Sequence, residues 1–157
     1  MAHVIAIDIG TTKLCGAAVD EGGCLLAVAS RPNDAAIAGC AALGSPGVWI
    51  GGWRSASRML AQPLWDRFVW PYIKELTLQV DAAGLIPILH FDSDWTRDLP
   101  RLLELPAGRC VLSLDSMTDI RKAKEILGDH MCIMGDVPPA LLSSGTPDQV
   151  REHCTRL

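Results

Sequence analysis

After Pro46 this chain settles into an alternation that constrains its fold more than any other feature. A short apolar run is followed by a stretch with helical spacing, four times over. The apolar runs are Val48 to Gly51, Leu85 to His90, Cys110 to Leu114 and Met131 to Met134. Between them lie a long helical pattern from Pro63 towards Gly84, one near Trp95 to Glu104 and one near Asp119 to Leu127, and helical turns close the chain. Strands alternating with helices over short connections predict parallel pairing through right-handed crossovers, hence an α/β layer or part of a barrel. A complete eight-stranded β/α barrel takes about 250 residues, and this sequence has 157.

Within the long helical pattern, Pro63 suits a first turn, and Leu64, Phe68, Tyr72, Leu76 and Val80 recur every fourth residue beside Trp65, Val69 and Ile73. That spacing predicts one broad apolar face, kinked at Pro71. The last helix has a marked start, because Thr146 and Gln149 stand at capping-box spacing around Pro147.

The first forty residues follow another grammar. Val4 to Ile9, Leu14 to Val19 and Leu25 to Ser30 read as short strands joined by Gly10-Thr11-Thr12 and Glu21-Gly22-Gly23, an antiparallel β-meander. From Arg31 to Pro46 neither period is visible, so a junction is expected between residues 1–40 and residues 45–157.

Charge and hydropathy exclude several classes. The formal net charge is -4 with no basic block, which gives a nucleic-acid backbone or an anionic membrane nothing to grip. The start Met-Ala-His-Val-Ile-Ala-Ile-Asp is not a secretory signal, and no apolar run reaches the length of a membrane span. The expectation is a cytoplasmic protein. Cys15, Cys24, Cys40, Cys110, Cys132 and Cys154 form no C-x-x-C pair and read as small hydrophobes.

In parallel α/β folds ligands bind beyond the carboxyl ends of the strands. Those ends here carry Arg54 after Gly51-Gly52-Trp53, His90-Phe91-Asp92-Ser93-Asp94, Asp115-Ser116 and Gly135-Asp136-Val137-Pro138-Pro139. His90 and Asp92 are one residue apart, so extended backbone points both to one face, where nitrogen and oxygen can approach one cation. Equally, His90 can hydrogen-bond at a strand end while Asp92 or Asp94 caps the next helix. Asp115 can act as a general base or cap the helix near Asp119, and Gly135-Asp136 before two prolines suggests a stiff turn close to a ligand. In the first segment, Asp8-Ile9-Gly10-Thr11-Thr12-Lys13 offers a glycine turn with exposed amides, two hydroxyls and a carboxylate able to hold a magnesium-bound water; it can also be a plain hairpin loop.

Two family resemblances rest on these residues. Val4 to Asp20, with Ser30-Arg31-Pro32-Asn33-Asp34, resembles the first phosphate-binding hairpin of actin-like ATPases, particularly FGGY-type sugar kinases; it implies ATP and magnesium at Asp8, Gly10, Thr11 and Thr12. The second and adenosine motifs and the catalytic aspartate of such kinases have no counterpart. The rest resembles the uroporphyrinogen decarboxylase superfamily, and more closely its methyltransferase-like branch from corrinoid metabolism. Ile50-Gly51-Gly52-Trp53-Arg54, Trp70-Pro71-Tyr72, His90-Phe91-Asp92-Ser93-Asp94-Trp95, Gly128-Asp129-His130, Gly135-Asp136-Val137-Pro138-Pro139 and Gly145-Thr146-Pro147 carry it. It implies a partial (β/α) TIM-type barrel of about four parallel strands, a corrinoid as substrate or partner cofactor, a corrinoid protein or small methyl donor or acceptor as partner, and Asp115, Asp136 and Arg54 lining the mouth. In methyl-transferring relatives a His-x-Cys pair at the position of His90 and Asp92, with a later cysteine, binds a thiol-activating zinc. Asp92 replaces that cysteine, so the zinc site is expected to be incomplete. The expectation is a methyltransferase-like fragment or fusion that self-associates through its open barrel, with an FGGY-type kinase fragment and a non-enzymatic fusion product as the alternatives.

Overall fold

The computed structural model describes residues 4–9, 13–19, 25–32, 34–52 and 55–157, with side chains from residue 37 onward. The chain divides into two compact units, Met1–Pro46 and Gly47–Leu157. In the first, β1 (Val4–Ile9), β2 (Lys13–Val19) and β3 (Leu25–Pro32) form an antiparallel sheet in chain order, as the meander pattern predicts. Helix α1 (Asp34–Ala42) follows where no period was legible. Its sequence is mostly alanine, which favours helix without marking a face.

The second unit is a four-stranded parallel sheet in the order β4 (Gly47–Gly51), β5 (Ile86–Phe91), β6 (Val111–Leu114), β7 (Cys132–Met134). This is the α/β class with the parallel strands of a partial barrel. Register pairs Trp49 with Ile88, Gly51 with His90, His90 with Ser113 and Ser113 with Met134. Alternation then sorts the side chains. Val48, Ile50, Leu89, Phe91, Leu112 and Leu114 are buried on one face, against which helices pack.

The long helical pattern is two helices, α2 (Gln62–Phe68) and α3 (Trp70–Ala82), parted at Val69. Pro71 lies in the first turn of α3, the place where a missing N–H costs least, so the expected kink becomes a new start. The break also narrows the buried stripe. Of the expected face Trp65, Ile73 and Val80 are buried, joined by Trp70 and Thr77, whereas Leu64, Phe68 and Tyr72 are exposed. Trp65 stacks on Trp70 with ring centroids 5.7 Å apart, meets Trp95 edge-on at 6.0 Å, and donates its indole N–H to the Ser55 carbonyl at 2.6 Å. Helix α3 packs on β4 and β5.

After β5 the expected α-helix is a 3-10 helix over Leu99–Glu104. Buried Leu99, Leu102 and Leu105 recur every third residue, the period at which 3-10 side chains eclipse. Helix α4 (Ile120–Leu127) begins as its sequence suggests: the Asp119 carboxylate accepts from the Arg121 and Lys122 amides at 3.0 and 3.2 Å, and Ala123 and Leu127 are buried. It packs on β7 and on the 3-10 helix. Two short helices end the chain, α5 (Pro139–Ser144) and α6 (Pro147–Arg156). The capping box is present: the Gln149 amide donates to Thr146 Oγ1 at 3.3 Å and the Thr146 amide to Gln149 Oε1 at 2.8 Å. Among the described residues no helix is long and apolar enough to cross a membrane.

Candidate active site at the carboxyl ends of the strands

His90 ends the inner row of β5 and is held on three sides. Its Nε2 lies 3.3 Å from Asp92 Oδ1, its Nδ1 lies 3.2 Å from Ser113 Oγ on β6, and the Trp49 ring of β4 sits 4.5 Å away, tilted by 33°. The one-residue spacing does bring His90 and Asp92 together, because only Phe91, turned to the core, separates them. Sequence alone does not reveal Ser113 and Trp49, which reach His90 through strand register.

The backbone around this pair is shaped to let the strand ends approach. A Cβ on Gly52 would stand 2.4 Å from the Phe91 ring, and the Gly52 amide donates to the His90 carbonyl at 2.8 Å. Asp94 does not cap the 3-10 helix, whose N-cap is Asp98; it closes the turn before it, accepting from the Thr96 amide at 2.9 Å, and pairs with Arg58 at 3.3 Å. The bonds to Thr96 hold its carboxyl below the usual range. Asp92 is thereby left to His90.

Asp115, at the end of β6, does not cap α4; Asp119 does. Burial pushes its carboxyl up, and the adjacent Asp92 carboxylate pushes it further, against a hydrogen bond from the Met117 amide and the nearby His90. One of its oxygens, Oδ1, is buried without a hydrogen-bond partner. His90, Asp92 and Asp115 thus make one acid–base cluster drawn from two neighbouring strands.

Asp136 lies one strand further along. It is 7% exposed, with Oδ1 buried and unpartnered. Burial raises its carboxyl, although the Ser116 amide and His153 act the other way. His153 of α6, which sequence did not single out, donates from Nε2 to the Asp136 carbonyl at 2.9 Å in its protonated-nitrogen tautomer. Gly135 precedes it at φ +127, where a Cβ would meet the Leu114 carbonyl oxygen at 2.7 Å. A groove lined by Ser116, Thr118, Arg121, Asp136, His153 and Arg156 opens beside it.

Arg54, Gly10, Thr11 and Thr12 lie outside the described residues, as does the side chain of Asp8, whose backbone pairs with Cys15. Cysteine placement differs from expectation: Cys110 is buried, but Cys132 and Cys154 are exposed, and the described cysteines are free thiols. Among the described residues no three His, Cys, Asp or Glu side chains are arranged to hold a metal ion. His90 and Asp92 supply two donors where a catalytic zinc takes three protein ligands, so these residues do not fit zinc by themselves.

The family model of uroporphyrinogen decarboxylase (URO-D) matches residues 25–157. Among curated proteins, a uroporphyrinogen decarboxylase of Chlorobium luteolum is 31% identical over 106 residues, covering 67% of this chain and 28% of its own. One from Citrifermentans bemidjiense is 32% identical over 97 residues, covering 60% of this chain and 26% of its own. The chain therefore spans little more than a quarter of the length of the curated relatives it matches. No solved structure matches it. With the family model covering most of the sequence, and the four parallel strands and their polar carboxyl ends lying inside that match, the chain belongs to the uroporphyrinogen decarboxylase family.

Proposed function

We propose that the chain carries the acceptor-activating mouth of a methyltransferase-like member of this family, moving a methyl group from a corrinoid substrate to a small nucleophile such as a thiol. The supporting observation is the contact of His90 with Asp92 at the strand end where the resemblance puts a thiol-activating pair. The corrinoid supplies an electrophilic methyl group. The chain's own part is to hold the acceptor and take its proton: the imidazole accepts the proton as the sulfur–carbon bond forms, and the methyl–cobalt bond breaks with its electron pair left on the metal. Asp92 and Ser113 fix the ring, Trp49 walls the site, and Asp115 and Asp136 present carboxyls that burial inclines towards the neutral form. Arg54, which lies outside the described residues, enters this reading through the resemblance alone. Zinc belongs to this reading only with donors beyond His90 and Asp92.

The test is to incubate the whole chain with methylcobalamin and a thiol and to measure methyl thioether by mass spectrometry. His90→Ala is expected to slow turnover by about a hundredfold, the usual size of general-base catalysis. An unchanged rate sinks the assignment.

A second reading is favoured by the relatives' printed name and by Asp115. A carboxyl kept neutral can deliver the proton that takes the place of departing carbon dioxide. Carbon dioxide released from uroporphyrinogen, and lost in Asp115→Asn, would select decarboxylation. Absence of turnover in both assays would favour a non-enzymatic fusion product.

A further inference from the structure

We propose that Thr118 is a positioning residue of the strand-end site: its buried hydroxyl ties the turn after β5 to the turn after β6 and so holds Asp92 against His90. The tie goes beyond the methyl-transfer reading and exists whatever the reaction; only the rate effect given below rests on that reading.

The first observation is where the backbone is forced. Among the described residues two that are not glycine have positive φ, Ser93 at +73 and Ser116 at +75. Each directly follows a carboxylate of the site, Ser93 after Asp92 and Ser116 after Asp115. A residue with a Cβ enters the left-handed region at a cost, so it persists there only where its surroundings hold it. The two turns also bring like charges together, since the Asp92 carboxylate is close enough to push the Asp115 carboxyl up. Left alone, both effects would open the turns.

The second observation is what spans them. Thr118 is 1% exposed. Its Oγ1 accepts from the Trp95 amide at 2.9 Å and donates to the Ser93 carbonyl at 3.1 Å. One hydroxyl of the β6 turn thus spends both its donor and its acceptor capacity on the β5 turn, at the two backbone groups that flank Asp94. Trp95 passes the restraint back to the site. Its indole N–H donates to the Asp92 carbonyl at 2.8 Å, and its ring stacks on Phe91 with centroids 3.9 Å apart. Asp92 is therefore gripped by its own carbonyl and by the turn that follows it, and its carboxylate meets His90 Nε2 at 3.3 Å.

A buried threonine can also serve by filling space, and the two roles predict opposite variants. Valine keeps the shape of threonine and removes the hydroxyl, whereas serine keeps the hydroxyl and removes a methyl group. If Thr118 only packs, Thr118→Ser is the damaging change. If it ties the turns, Thr118→Val is.

The experiment is heteronuclear NMR of the histidine side chains in the whole chain at about pH 8, where ordinary imidazoles are neutral. The His90 signals are assigned by their loss in His90→Gln. With the Asp92 carboxylate beside Nε2 and the Ser113 hydroxyl beside Nδ1, the parent chain should show a single tautomer, protonated on Nε2. Thr118→Val should turn this into a mixture of both tautomers and shift the Trp95 indole N–H signal; Thr118→Ser should keep both as in the parent. Circular dichroism checks that each variant folds. Trp95→Phe, which removes the indole N–H and keeps an aromatic ring, breaks the next link and should give the same mixture. In the methyl-transfer assay Thr118→Val should lower kcat with KM unchanged, by up to about a hundredfold, the size of a small misplacement at the reacting groups, and Thr118→Ser should restore it. A parent chain without methyl transfer would count against the reaction alone, and the tautomer still decides the tie. Two results would overturn the proposal: unchanged His90 signals in Thr118→Val, or in Trp95→Phe where that variant alone folds, and a tautomer mixture in Thr118→Ser as large as in Thr118→Val.

Discussion

His90 is pinned between Asp92, Ser113 and Trp49, and at the next two strand ends Asp115 and Asp136 have lost water rather than gained cations. For Asp115 and Asp136 the largest cause of the upward shift is burial. A carboxyl whose folded value is raised contributes stability that is fully present below its unfolded value of about 4 and is lost as pH rises through the folded value. The chain should therefore lose stability as pH climbs out of the acid range, and Asp136→Asn, which cannot ionise, should flatten that slope. Melting temperature followed from pH 4.5 to 8 in both proteins checks it, the pH limits being about those that bracket ordinary carboxylate titration; parallel curves would contradict it. Thiol chemistry supplies a second expectation. Burial pushes the Cys110 thiol up to about 11, while Cys132 and Cys154 are exposed. Since the thiolate is the nucleophile, a disulfide reagent at neutral pH should label Cys132 and Cys154 in the folded chain and reach Cys110 only on unfolding, as peptide mapping would show. At this scale sequence was informative along one strand and silent across strands. The i, i+2 spacing of His90 and Asp92 is local, whereas the meeting of His90 with Ser113 depends on how β5 slides against β6.

Among the elements, α2 and α3 show how a single proline redirects a face. A kinked helix would have buried Leu64, Phe68 and Tyr72 along with Trp65 and Ile73; two helices parted at Val69 bury only the latter two of these. Trp65 is fully enclosed between Trp70 and Trp95, and Trp65→Ala should cost about 3–5 kcal/mol of unfolding free energy, the range for an emptied aromatic site. Urea titration measures it, and a loss within experimental error would mean the stack carries little. Glu104 ties the same helix to the 3-10 segment, accepting from the Lys74 ammonium at 2.8 Å and the Trp70 indole at 3.2 Å. Its carboxyl is lowered to about 2, chiefly by Lys74. That contribution is present above about 4 and lost as pH falls towards 2, and because the group is partly solvated it amounts to about 1 kcal/mol at most. The strands were legible from apolar runs and α4 from its helical spacing, although its cap is Asp119 and not the Asp115 that sequence offered. Helix α1 was not, since alanine and glycine leave no stripe, and neither was the 3-10 form of Leu99–Glu104, where threefold leucine spacing resembles a short helical period.

Over the whole molecule, the family match begins at residue 25 and runs to residue 157, so it takes in β3 and α1 as well as the parallel sheet. The β1–β2 hairpin precedes it, and the test of the kinase alternative expected from sequence is direct: magnesium-ATP is expected to leave the melting temperature unchanged, whereas a rise abolished by Asp8→Ala would assign a nucleotide site. The parallel sheet has a kinetic corollary. Its neighbouring strands are joined only by crossovers, as β4 is joined to β5 through α2 and α3, so no tight hairpin can form first; each pairing waits for a long stretch of chain to close, and this sheet should order more slowly than the antiparallel meander of β1 to β3.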